Sequence, residues 1–134
     1  MFTKATAKHY DISKSGSHGS VMSFNHDAYM NIKFSDYKTH DTFSDAVDKI
    51  TYLGGRTNIH LVLRKALDEM FQSKNGMRSD SNKILILITD GHSDDSQYTN
   101  LNTEFQKNNI ALVVVGVGNI NEISLRKLVV DEKN

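Results

Sequence analysis

Ile84-Leu85-Ile86-Leu87-Ile88-Thr89-Asp90-Gly91 is the stretch that decides the fold. Its aliphatic residues follow one another without alternation, so the strand they form has no face left for water. Strands of that kind are covered by helices on both sides, which is the setting of a parallel sheet. A second run of the same character occupies residues 110–115. Between the two, Tyr98, Leu101 and Phe105 mark a crossover helix, and Leu125, Leu128 and Val129 mark another after the second run.

Working upstream, residues 58–71 form the most regular segment, with Ile59, Val62, Leu63, Ala66, Leu67, Met70 and Phe71 on one helical face. Asn75 and Gly76 supply a stop. A shorter helix over residues 42–50 places Phe43, Ala46, Val47 and Ile50 on one side, with Thr39 or Thr42 as its N-cap. Residues 20–24 and 29–34 read as two short strands joined by Asn25, His26 and Asp27, a hairpin whose second strand is an antiparallel edge. Residues 2–9, with a stripe of Phe2, Ala5 and His9, read as the last turns of a helix. The expected order is helix, hairpin, helix, helix, strand, helix, strand, helix. That is an α/β domain, a three-layer Rossmann-like arrangement with helices on both faces of a mainly parallel sheet and an antiparallel edge strand.

The 134 residues suit one domain, and the formal charge is zero, with 16 basic and 16 acidic side chains. No block of like charge offers a footprint for a phosphate backbone, so nucleic acid is not an expected partner. No run reaches the roughly eighteen apolar residues of a membrane span. Lys4 and Lys8 stand where a signal peptide would be apolar. The chain has no cysteine and no Asn-x-Ser/Thr acceptor, so neither disulfides nor glycosylation argues for a compartment.

In open α/β sheets ligands bind beyond the carboxyl ends of the strands. Two polar loops belong there: Gly54-Gly55-Arg56-Thr57-Asn58, which opens the long helix, and Thr89-Asp90-Gly91-His92-Ser93-Asp94-Asp95. A hydroxyl and a single carboxylate, completed by water, suit magnesium, which is small, octahedral and slow to give up its waters. One carboxylate also leaves the ion electrophilic enough to take an acidic side chain from another protein. Each residue has a plainer use as well: Thr57 can cap a helix, and Asp90-Gly91 can simply turn the chain. His92, Asp94 and Asp95 are consecutive loop residues that seldom converge on one ion, and Arg56 and His60 fit a solvated flank. Gly116-Val117-Gly118 lacks the third glycine and the following acid of a dinucleotide loop, and reads as the turn into a helix.

Val21-Met22-Ser23-Phe24, Tyr52-Leu53-Gly54-Gly55-Arg56-Thr57-Asn58, the run from Ile84 to Gly91, and Val115-Gly116-Val117-Gly118-Asn119 together resemble the von Willebrand factor A family in order and spacing. The resemblance covers nearly the full chain. It implies a metal-ion-dependent adhesion site in which Thr57 is the hydroxyl ligand and Asp90 the second acidic residue. The ion implied is Mg2+, with Mn2+ or Ca2+ as alternatives, if this partial site keeps one. The family's remaining ligands come from an Asp-x-Ser-x-Ser loop after its first strand, and Asp11-Ile12-Ser13-Lys14-Ser15 has that spelling. Its flanks argue against it. Lys4, Lys8, His9 and Tyr10 precede it where a buried strand is required, and only residues 16–19 separate it from the next strand, too few for a crossover of about a dozen residues. By this alignment the chain starts inside the family's first helix, and the central first strand with its serine loop is missing, which makes 1–134 a single incomplete domain. Loss of a central strand leaves unpaired backbone beside two strong strands, to be met by lower stability, a closed gap or pairing with another chain.

The function implied is a protein-binding or adhesion module that engages a protein ligand, in the matrix or on a cell surface, through that ligand's acidic side chain. The parent implied is extracellular. The alternative is a structural or assembly fragment with a vestigial metal site that self-associates through its sheet edge. An enzyme, such as a hydrolase using His92 and Asp90, is not expected, since no nucleophile, base and orienting group stand at spacings that compel one.

Overall fold

The computed structural model describes residues 2–93 and 101–129. The elements run α1 (Phe2–Ala7), β1 (Val21–Phe24), β2 (Ala28–Ile32), α2 (His40–Asp48), α3 (Ile59–Lys65), β3 (Lys83–Thr89), α4 (Leu101–Lys107), β4 (Ile110–Gly116) and α5 (Glu122–Val129), in the order read from the pattern. β3 and β4 pair in parallel in unbroken register, from Lys83 opposite Ile110 to Thr89 opposite Gly116. Parallel pairing requires a crossover, and α4 supplies it, burying Leu101 and Phe105 in the main core. Tyr98 lies outside the described residues.

β1 and β2 form the antiparallel hairpin. Asn25 closes its turn twice: its N–H donates to Asp27 O at 2.8 Å, and its Oδ1 accepts from Asp27 N at 2.9 Å. β2 ends at Ile32 rather than at residue 34, because the next residues turn on themselves: Lys33 N donates to the Asp36 carboxylate at 2.8 Å, and Asp36 N returns to Lys33 O. Phe34 leaves the strand and packs its ring on Phe71, with centroids 5.5 Å apart.

The seven apolar residues of the α3 region are all buried. The helix does not run straight through them. From Ala66 to Met70 it widens into a π turn, in which Phe71 N reaches back to Ala66 O at 3.1 Å, and the extra residue lets consecutive Met70 and Phe71 both face the core. Gly76, at φ 89°, then takes the left-handed conformation that ends the segment. α2 begins at His40 because Thr39, not Thr42, is its cap, the Thr39 hydroxyl accepting from Thr42 N at 3.2 Å.

Two faces differ from the sequence reading. In α1, Ala7 is buried while Ala5 and His9 are exposed. A short alanine-rich helix has little apolar periodicity of its own, so its docking on α2, tied by Lys4 Nζ to Asp48 at 2.6 Å, chooses the face. In α5, Leu125 and Leu128 are buried but Val129 is exposed. Among the described residues the sheet is in two pieces, β1–β2 and β3–β4. Of the three outcomes open to a sheet without its central strand, a closed gap is not the one seen here. No described helix is long and apolar enough to cross a membrane.

One surface pair joins helices distant in sequence. Arg64 Nη1 and Nη2 donate to the two Glu104 carboxylate oxygens, each at 2.7 Å. Those hydrogen bonds hold the Glu104 carboxyl below its ordinary pKa and raise that of Arg64, with burial opposing both shifts. A lowered carboxylate pKa contributes stability above its unfolded value, near about 4.3, and that contribution is lost as pH falls through the lower folded value. Both side chains are more than a third exposed, at 36% and 37%, so solvent screens the pair. Glu104→Gln is therefore expected to cost only about 0.5 kcal/mol in urea unfolding at pH 7, and the difference from wild type should vanish as pH drops below the carboxylate range.

Candidate metal centre

Three loops meet beyond the carboxyl ends of β3 and β4. Residues 89–93 follow β3, residues 117–121 follow β4, and residues 54–58 lead into α3. Backbone bonds lace the first two together: Val117 N donates to Thr89 O at 3.0 Å, and Asn121 N to Asp90 O at 2.7 Å. The His92 ring adds a contact, its Nε2 lying 2.9 Å from Asn119 O. Ser93 joins this pair to the third loop, its hydroxyl donating to Thr57 O at 3.2 Å and accepting from Ile59 N at 3.0 Å. The far side of the third loop is held by the hairpin turn. Asn58 N donates to Asn25 O at 2.8 Å, and Asn25 Nδ2 donates to Gly54 O at 3.1 Å. Gly55 sits at φ 108°, a conformation that residues with a side chain rarely adopt.

Thr57 and Asp90, half-buried, line the same cleft. Thr57 is not the helix cap, because Asn58 fills that role, its Oδ1 accepting from Leu61 N at 2.9 Å. Among the described residues, no hydrogen bond uses the Thr57 hydroxyl. Asp90 spends one oxygen, Oδ1, on His92 N at 2.9 Å, and its Oδ2 carries no hydrogen bond among the described residues. Two hard oxygen donors thus stand uncommitted on loops that are otherwise tightly bonded. That set fits a small divalent cation that keeps most of its waters. Among the described residues, no three acidic or imidazole side chains gather as a fuller ligand set would require.

The Asp11 to Ser15 loop uses its polar groups on itself. Ser13 Oγ donates to Asp11 Oδ2 at 3.2 Å and accepts from Gly16 N at 2.9 Å, while Ser17 N donates to Asp11 O at 2.6 Å. Arg78 fixes the loop from outside by donating to Gly16 O at 2.6 Å. Asp11, Ser13 and Ser15 do not line the cleft that Thr57 and Asp90 share. Arg56 and His92 are exposed and His60 half-buried; Asp94 and Asp95 lie outside the described residues. Residues 117–121 form the turn into α5, where Asn121 Oδ1 accepts from Ser124 N at 3.2 Å. Ser93, Asn25 and Asn121, which position these loops, carried no distinguishing signal in the sequence: each bonds to partners identified only by the fold.

The sequence profile of the von Willebrand factor type A domain matches residues 1–134. Mouse (Mus musculus) integrin alpha-M is 32% identical over 102 residues, which is 75% of this chain and 9% of the integrin. The collagen alpha-1(XII) chain of Notophthalmus viridescens is 29% identical over 130 residues, 97% of this chain and 14% of the collagen. This chain therefore spans a small part of the relatives it matches. Among solved structures, proximal thread matrix protein 1 from the mussel byssus superposes with a TM-score of 0.86 at 20% identity, over 96% of this chain and 34% of that one. A second structure of the mussel protein, with the same overlap, is described as having a zinc-occupied MIDAS motif.

Proposed function

The chain belongs to the von Willebrand factor type A domain family, and on that footing we propose that it is a protein-binding module whose ligand engagement is assisted by a divalent cation held at Thr57 and Asp90. The observation that carries this reading is the pair of oxygens uncommitted among the described residues, the Thr57 hydroxyl and Asp90 Oδ2, on loops locked together by Ser93. A bound Mg2+ would supply an electrophilic centre able to accept a carboxylate from a protein ligand. The chain's own contribution is positional. Asn25 and Ser93 fix the Thr57 loop, and the Asn121 bond to Asp90 O fixes the carboxylate, so little ordering is needed when a ligand arrives.

The relatives bearing the names integrin and collagen support a parent protein that works in adhesion or in the matrix, outside cells. The module is not proposed to be catalytic: Asp90 and His92 meet through a backbone N–H, with no serine, threonine or lysine nucleophile hydrogen-bonded to the imidazole among the described residues.

The test is binding of the full chain to an immobilised extracellular-matrix extract, in magnesium and in EDTA. Binding should weaken by roughly tenfold or more in EDTA, a loss of about 1.4 kcal/mol, and by a similar factor in Asp90→Ala. Equal binding in both buffers by wild type would refute the role of the ion.

A further inference from the structure

Val117, Ile120 and Ile123 stand at three-residue intervals along the turn that carries the chain from β4 into α5, and they are 41%, 46% and 73% exposed. They are not part of the core, for which α5 buries Leu125 and Leu128 instead. Residues 116–121 bring no charge to the turn, and the first charge after them, Glu122, is paired with Arg126 at 2.6 Å. An exposed apolar patch rimmed by polar groups marks a surface that meets a partner. This turn is held against the loop that carries Asp90. Val117 N donates to Thr89 O at 3.0 Å, Asn121 N to Asp90 O at 2.7 Å, and the His92 ring lies 2.9 Å from Asn119 O. Gly116 seats the middle residue: a Cβ there would lie 3.0 Å from Ile120 Cγ2, so the bare glycine lets Ile120 pack against the end of β4. Across from this turn, the loop of residues 54–58 presents two glycines and the exposed Arg56. The surroundings of Asp90 are thus apolar on the β4 side and polar on the α3 side.

We propose that the protein ligand presents its carboxylate from a segment with a large aliphatic residue next to the acidic one, on the side that covers Val117, Ile120 and Ile123. This inference rests on the cation reading of Thr57 and Asp90 and adds to it the composition of the ligand. Two physical effects act together. Covering the three side chains removes apolar surface from water, which favours association in proportion to the area covered. The same contact excludes water from the rim of the ion and its carboxylate, and a lower local dielectric strengthens their attraction. A polar neighbour on the ligand would lose its own hydration against Ile123 without gaining a charged partner in residues 116–121.

The experiment titrates fluorescent peptides into the full chain in magnesium and follows anisotropy, using glutamate between glycines, glutamate with leucine before it, and glutamate with leucine after it. One of the leucine peptides should bind about tenfold tighter than the glycine peptide, and EDTA should abolish the binding of all three. Ile123→Ser, at the most exposed of the three positions, should bring that leucine peptide to within about twofold of the glycine one. Tyr29→Ser, which removes an exposed ring from the hairpin, should leave the leucine advantage intact. Equal binding of the three peptides in magnesium, or a leucine advantage that survives in Ile123→Ser, would overturn the proposal and leave the cation reading standing. Binding that is the same in EDTA would overturn the cation reading, and the proposal with it. Sedimentation that shifts with concentration in the wild type but not in Ile123→Ser would overturn the proposal in favour of a second copy of this chain on the patch.

Discussion

Gly91→Ala is expected to lower stability by roughly 2–4 kcal/mol and to weaken any divalent ion bound beside it. Gly91 sits at φ 82°, in the left-handed region, where a side chain costs about 1–2 kcal/mol. It also has no room. A Cβ there would lie 2.7 Å from Leu125 Cγ, 2.8 Å from Leu125 Cδ2 and 3.0 Å from Asn121 O. Leu125 belongs to the main core and Asn121 N holds Asp90 O, so relief of the clash must move either the core or the loop that aims Asp90. Gly118→Ala is the matched control. Its φ is 72°, but nothing lies within 4 Å of the added Cβ, so only the backbone penalty of about 1 kcal/mol should appear. Urea unfolding of the two variants separates strain from steric displacement. Equal losses would show that the contacts with Leu125 and Asn121 relax without cost.

Phe105→Ala is expected to cost about 3–5 kcal/mol. The ring is fully buried, on the crossover helix that makes the parallel pairing of β3 and β4 possible. Its removal leaves a cavity at the centre of the main cluster, between α4 and β4. Domains of this size hold about 5–15 kcal/mol in total, so this variant should unfold well below the wild-type midpoint in thermal and urea titrations. Tyr52→Ala, at a side chain 91% exposed, should change stability by less than about 0.5 kcal/mol.

The parts of the fold that could be read from sequence are those whose signal is local. Residues 84–88 and 110–115 identify themselves because a parallel strand covered on both faces admits no polar residue. The α3 face follows from helical periodicity, and hydroxyl chemistry narrows the α2 cap to Thr39 or Thr42, between which the structure chooses Thr39. The parts that escaped depend on contacts between distant residues. The buried face of α1 is decided by α2, the end of β2 by a carboxylate three residues on, and the π turn at Ala66–Met70 by the need to bury Met70 and Phe71 together. At the proposed site, the choice of Thr57 and Asp90 rests on their loops and on the family resemblance. Their supports were not legible in the sequence: Ser93 reaches Thr57 across 36 residues and Asn25 reaches Gly54 across 29. The cap assignment also needed the structure, since Thr57 and Asn58 both have capping side chains and only geometry chooses Asn58.

Isothermal titration of magnesium and manganese into the purified chain, beside Asp90→Ala and Thr57→Ala, measures directly whether Thr57 and Asp90 hold a divalent ion. One ion should bind per wild-type chain and raise its melting temperature, and both effects should be lost in each variant while each remains folded. A folded wild-type chain that binds neither ion would contradict the cation reading, and so would binding that survives in both variants but disappears in Asp11→Ala.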